Sequence, residues 1–440
     1  MRQFLFILAL SGSFFSGKAQ EVLSLKRCLE IGIENNLSLQ GQKNEIRKGK
    51  HTISENRAKL LPQINGVGSF NDNFNPPVSV TDGSAFGNPY NVTHTLQYNA
   101  AAGIQLQMPL YNQMILTSVT IAKMMDNINN LSYQKAREDL IIQISKMYYL
   151  GQSTTEQISL IKDNIKRLEE LKNFTVAFYE NDMAIEVDVK RVNLNLENLQ
   201  VQYDNAQAML TQQLNMIKYV LDYPAEEEIA LEPVNTEEIT TVDLSGLSAN
   251  LYELQLMESR QELVEKQKKM IKQGYLPSLH LTGNLMFTTF TDKGYHWFHS
   301  GPSNKWYTST GIGLTLRIPI FDGFDKRSKM RKADIDIENA RLSHENLHKN
   351  LQTQYMNATN ELRNCQRNFK KQKDNYILAE DVYHVTSDRY REGIASMTEV
   401  LQDEMSMSSA QNNYISAHYN YRVTNLTLLK LTGQIESLLK

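Results

Sequence analysis

The 440-residue chain sets 46 Lys and Arg against 49 Asp and Glu, a formal charge of −3, so it has no basic excess of the kind that neutralises nucleic-acid phosphates. Its mean hydropathy is −0.44 and no apolar run reaches about 18 residues, which excludes a helical membrane protein but not a strand-built one, whose signal per segment is weak. Two cysteines do not make a disulfide framework in an exported chain of this size, and Cys28 and Cys365 read as small buried residues in separate helical patterns.

Residues 1–20, MRQFLFILALSGSFFSGKAQ, combine a basic Arg2, an apolar run from Phe4 to Leu10, and Gly17 and Ala19 spaced like a signal-peptidase site. The run is too short to span a bilayer, so a cleaved secretory signal is expected, with the mature chain starting at Gln20 or Glu21. No cysteine near that point offers a lipid anchor. A helical opening, LSLKRCLEIGIENNLSLQ at 23–40, precedes LLPQINGVGSF at 60–70, where Ile64, Gly66, Gly68 and Phe70 alternate as in a strand. A proline-containing loop follows. A clearer strand then sets Ile104, Leu106, Met108 and Leu110 opposite Gln105 and Gln107. Residues 110–223 hold no proline, which costs about 3 kcal/mol inside a helix, so the span permits long helices. Ile158, Ile161, Ile165, Leu168 and Leu171 trace a seam on one of them.

After the acidic stretch YPAEEEIALEPVNTEE the plan repeats. LLPQINGVGSF at 60–70 resembles YLPSLHLTGNL at 275–285, LQMPLY at 106–111 matches LRIPIF at 316–321, and YENDMAIEVDV at 179–189 matches YREGIASMTEV at 390–400. Each half therefore reads helix, strand, loop, strand, long helix, turn, long helix. We expect a leader over 1–20, a first structural repeat over 21–222, an acidic linker over 223–245 and a second repeat over 246–440.

The second repeat has the stronger strands. Leu279, Leu281, Gly283, Leu285 and Phe287 form one apolar face; Ile312, Leu314, Leu316, Ile318 and Ile320 form another, opposite Thr315 and Arg317. Tyr295, Trp297, Phe298, Trp306 and Tyr307 crowd the intervening loop as an interfacial girdle does. From Leu347 onward, Leu351, Tyr355, Ala358, Leu362, Cys365, Phe369, Gln372, Tyr376, Ala379 and Tyr383 recur at alternating spacings of four and three. A helix over 325–388 would be roughly 95 Å long, the length of a rod, a stalk or a tunnel wall. Strands with one apolar and one polar face fit a membrane barrel, and a soluble sheet with one wet face is the alternative. Four strands cannot close a barrel, and an open edge is forbidden in lipid, so other copies must supply the rest. Gln105, Gln107, Thr315 and Arg317 then face a water-filled lumen and the alternate residues face outer-membrane lipid.

The ordered set of motifs, the opening 23–40, the LLPQI and YLPSL strand starts, the MPLY and IPIF-DG strand ends and the paired turns, resembles the TolC-like outer-membrane efflux proteins over nearly the whole mature chain. The resemblance implies a mainly α protein with a membrane β-barrel. Its homotrimer would have four strands per chain in one twelve-stranded barrel and long coiled-coil-like helices forming a periplasmic tunnel. It implies a passive exit duct of a tripartite efflux or type I secretion system, docked to a periplasmic adaptor (membrane fusion) protein and an inner-membrane transporter, with no cofactor and no nucleic acid. The turns 179–189 and 390–400 would form the periplasmic entrance. Tyr390, Gly393 and Glu399 fall on the family pattern, and Asp188 is the first-half counterpart of Glu399. The chain departs from that pattern with Ala395 in place of a basic residue, Gln402 in place of a second acid, and Asp182 where the second half has Gly393. Asp188 and Glu399 from three chains are expected to ring the pore, with Tyr390 and Arg391 as donors and Arg191 and Gln402 as partners; first-turn acids at a helix N-terminus are the plainer alternative.

HENLH at 344–348 satisfies a zinc-peptidase pattern, with His344 and His348 as ligands and Glu345 as base. Its surroundings are polar and charged, His344 extends the heptad seam, and no third ligand follows at a familiar spacing. His296 and His299 read as a solvated loop rim. An exported coiled-coil structural or adhesin-like protein remains the other alternative, which fractionation separates from a barrel.

Overall fold

The computed structural model describes residues 21–82, 84, 87, 89–234, 246–292 and 305–439. The expected leader (1–20), the later part of the expected linker (235–245) and the loop 293–304 with Tyr295, His296, Trp297, Phe298 and His299 lie outside the described residues. In chain order the elements are β1 (Glu21–Leu23), α1 (Leu25–Asn35), α2 (Leu37–Ala58), β2 (Gln63–Asp72), β3 (Val78–Asp82), β4 (Tyr90–His94), β5 (Tyr98–Tyr111), α3 (Gln113–Glu180) and α4 (Glu186–Leu221). Then follow β6 (Ile229–Leu231), α5 (Tyr252–Gln273), β7 (Ser278–Thr291), β8 (Trp306–Arg317), α6 (Asp325–Arg391), α7 (Met397–Leu431) and a 3-10 turn at Ile435–Leu439. They form two compact units: the described parts of Met1–Gln42, Tyr133–Tyr252 and Leu347–Lys440, and those of Lys43–Ser132 and Glu253–Asn346.

The proline-free spans are helical, with α3 running 68 residues and α6 67. No helix among the described residues is long and apolar enough to cross a membrane.

In the first unit, α6 packs along the seam read from the sequence. Leu351, Cys365 and Tyr383 are buried, the seam positions between them are half-buried, and the residues off the seam are mostly exposed. Against α7 the seam is aromatic: Phe369 stacks on His418 at 4.8 Å and Tyr376 lies 5.8 Å from Tyr414. At the other end of the unit the opening motif closes the core. Ser24 caps α1 by accepting a hydrogen bond from the Arg27 N–H at 3.1 Å, which points Cys28, Leu29 and Ile31 at Ile141 and Ile144 of α3 and Leu221 of α4. Gly32 leaves room there for Ile144, whose side-chain tip a Cβ would push aside. Both cysteines are free and buried, and burial pushes the Cys28 thiol up to about 12. Part of the expected linker is structured: β6 pairs in parallel with β1, Leu23 opposite Leu231. Three residues in an acidic stretch are too few to show a strand period.

The second unit is built on a four-stranded antiparallel sheet in the order β2-β5-β7-β8. Its register lines up Ile64, Leu106, Gly283 and Ile312 in one cross-strand row and Met108, Leu281 and Leu314 in the next. Where a loop was expected between β2 and β5, β3 and β4 form a separate hairpin, Val80 opposite Val92. Val78, Val80 and Val92 alternate with Ser79, Thr81, Asn91 and Thr93, a short β-branched pattern that the flanking prolines concealed.

Candidate functional site

The two turns expected at the entrance belong to the first unit and share one backbone design. At the end of α3 the Asp182 N–H donates to the Tyr179 carbonyl at 3.1 Å and the Met183 N–H to Phe178 at 2.8 Å; at the end of α6 the Gly393 N–H donates to Tyr390 at 2.9 Å and the Ile394 N–H to Arg389 at 2.8 Å. These are Schellman closures, and each needs a left-handed residue: Asp182 at φ 59° and Gly393 at φ 75°. The next helices start differently. Ser396 and Glu399 form a capping box on α7, the Ser396 N–H donating to the Glu399 carboxylate at 2.7 Å and the Glu399 N–H to the Ser396 hydroxyl at 3.3 Å. The backbone N–H and then the hydroxyl of Ser396 hold the Glu399 carboxyl below its usual range. On α4 the cap position is Ile185, which has no side-chain bond to offer.

Glu399 therefore turns back on its own helix, while Asp188 accepts a hydrogen bond from Arg191 at 3.2 Å. The same Arg191 guanidinium donates to the Thr398 hydroxyl at 3.2 Å, tying the first turn of α4 to the first turn of α7. Arg191 was expected as a partner. Thr398 was not, because its role depends on how the helices pack. Tyr390, expected as a donor, is buried, its ring 6.3 Å from Phe174 and 6.1 Å from Phe178, within a cluster that includes Leu171, Val192, Met397 and Val400. The expected donor Arg391 bonds Asp388 on its own helix at 3.3 Å, and Gln402 is exposed on α7.

Further along the same bundle lies a polar layer that the sequence reading did not single out. Buried Asn164 donates to Gln411 at 2.8 Å, Arg167 also bonds Asn164, and Glu404 is buried nearby. Burial raises the Glu404 carboxyl above its usual range, and Arg167 partly offsets this. The available signal was polar residues at seam spacing.

In the second unit all four expected lumen residues share one face of the sheet. Gln105 lies opposite Asn284 of β7 and Gln107 opposite Thr282; Thr315 lies opposite His280 and Arg317 opposite Ser278. Asn65 and Gln63 of β2 continue those rows. The opposite face is apolar and uncovered in the chain, with Ile64 69% and Ile312 85% exposed. HENLH lies within α6, with Glu345 3.8 Å from Arg341, and no group of three His, Cys, Asp or Glu side chains able to hold a metal ion occurs among the described residues.

The model of a family described as outer membrane efflux protein matches residues 29–221 and again 244–434. The outer membrane protein TolC of Escherichia coli is 19% identical over 394 residues, 87% of this chain and 76% of TolC. The probable efflux pump outer membrane protein TtgC of Pseudomonas putida is 22% identical over 433 residues, 93% of this chain and 83% of TtgC. A solved structure of CusC superposes with a TM-score of 0.76 at 15% identity, covering 93% of this chain and 91% of CusC, which establishes the shared fold.

Proposed function

This chain belongs to the outer membrane efflux protein family, as a passive exit duct and not an enzyme, and from that premise we propose that three copies close one twelve-stranded barrel. The observation that carries the proposal is the sheet: it ends at β2 and β8, and its apolar face is exposed. Successive strands alternate in direction, so β8 of one copy can extend an antiparallel ladder onto β2 of the next. Two copies would give eight strands and a filled interior; three give room for a lumen. The face with Gln105, Gln107, Thr315 and Arg317 then meets water and the face with Ile64 and Ile312 meets lipid, with a leader at 1–20 directing export and repeats over 21–222 and 246–440 flanking the acidic linker. A periplasmic adaptor and an inner-membrane transporter would feed the duct. Purified from outer membranes in detergent, the protein is expected to have the mass of a trimer. A monodisperse water-soluble monomer would overturn the assembly.

The turns 179–189 and 390–400 serve in this reading as the entrance, with Asp188, Tyr390, Gly393, Glu399 and Gln402 in or beside the constriction. The Arg191 bridge from Asp188 to Thr398 holds the two turns together. In single-channel recordings Arg191→Gln should raise conductance by loosening that tie, and replacing Asp188 and Glu399 together by alanine should weaken cation selectivity. Unchanged conductance and selectivity in both variants would place the constriction elsewhere.

A further inference from the structure

The sheet-side ends of α5 and α6 carry charge that conduction leaves unused. Residues 265–276, EKQKKMIKQGYL, place Lys266, Lys268, Lys269 and Lys272 beside a single acid, Glu265. Residues 326–332, KRSKMRK, hold five cations and no acid. Three of these cations are committed to carboxylates: Lys268 to Asp334, Lys326 to Asp322 at 3.0 Å and Lys329 to Asp325 at 2.7 Å. Among the described residues Lys269, Lys272, Arg327, Arg331 and Lys332 make no ion pair, and all five are exposed. The two helix ends meet, since the Lys326 ammonium lies 5.1 Å from the centroid of the Tyr275 ring. A concavity of about 620 Å³ opens there, lined by Lys268, Lys269 and Lys272 with one acid, Glu265, and by Gln273, Tyr275 and Leu276.

A second feature adjoins these charges. The segment 318–324, which links β8 to α6, is apolar and uncovered: Ile320 is 94% and Phe321 75% exposed, and the Phe321 and Phe324 rings meet edge to face at 5.4 Å. It continues the exposed row of Ile312, Leu314 and Leu316 along β8. Aromatic and aliphatic side chains followed directly by unpaired cations reproduce the order of a bilayer surface, acyl chains first and phosphates next.

We propose that this collar binds the phosphate headgroups of anionic phospholipids in the leaflet on the helical side of the barrel, one headgroup seated in the concavity of each copy. The inference rests on the duct reading, because the strand face must lie in lipid. An acidic protein would meet the same cations but would have no use for the exposed Ile320–Phe321 segment beside them.

The full chain is reconstituted into vesicles of equimolar phosphatidylglycerol and phosphatidylcholine, re-extracted in mild detergent, and the retained lipid is counted by native mass spectrometry. Phosphatidylglycerol is expected to be enriched over phosphatidylcholine, and excess inorganic phosphate is expected not to displace it. In K269Q/K272Q/R327Q each lost charge should lower the enrichment about fivefold. Arginine at both lysine positions should preserve it, which separates charge from folding. Equal retention of the two lipids, or undiminished enrichment in the glutamine variant, would overturn the proposal. So would a glutamine variant that keeps its lipid preference but loses co-purification of an acidic protein. Failure of the duct reading looks different: the protein would not enter the vesicles at all.

Discussion

Asp182 and Gly393 hold the same place in the two halves, the residue just past a long helix, and only one of them is a glycine. A left-handed conformation costs an L-residue roughly 1–2 kcal/mol, least for Asp and Asn. Gly393→Ala should therefore lose about 1 kcal/mol of stability in urea unfolding followed by circular dichroism, whereas Asp182→Gly should lose nothing. Glu404 is a residue whose contribution to stability depends on pH. Burial raises its folded pKa, so the folded state holds the proton more tightly than the unfolded chain does. Its stability contribution is full below the ordinary carboxylate value and is lost as pH rises through the raised one. Glu404→Gln should accordingly melt higher than the parent at about pH 8, with the gap closing by about pH 4. A pH-independent gap would mean that the carboxyl titrates normally.

At the scale of elements, α7 carries Glu404, Gln411, His418 and Asn425, every seventh residue, and all four are buried. A polar residue once per heptad lowers stability but fixes register, since a slipped helix would leave it unpaired. The Asn164–Gln411 bond tests this. Gln411→Leu alone should cost about 1–3 kcal/mol by leaving the buried Asn164 amide N–H without its acceptor, while Asn164→Leu with Gln411→Leu should recover most of the loss and unfold less cooperatively. The same ladder explains what the sequence concealed. The seam of α6 was legible because its apolar positions recur with a single polar break, Gln372. That of α7 was not, because a polar residue breaks its stripe at each turn of the heptad. The sheet strands were legible from strict alternation, and β1, β6 and the β3–β4 hairpin were too short to register. Asp188, Glu399 and the partner Arg191 could be located from the sequence, but Thr398 could not: the Arg191–Thr398 bond spans 207 positions and exists only once four helices have packed.

For the whole molecule, the duplication could be read from the sequence because prolines and turns keep their order. Closure had to be inferred from the count of four strands, because no single chain contains it. If ring closure and lipid insertion are one event, the appearance of trimer in a reconstitution should rise more steeply than the first power of protomer concentration, which is measurable by timed crosslinking. First-order appearance would mean that single chains insert alone. The two free edges also bear on inheritance. A copy whose β8 edge is blocked by proline can still offer β2 to a neighbour, so it enters the ring and prevents it from closing. Expressed in equal amount with the parent, it would leave about one ring in eight wholly intact if copies mix at random. Damage at that edge should thus be dominant, while damage that unfolds the chain before assembly should be recessive.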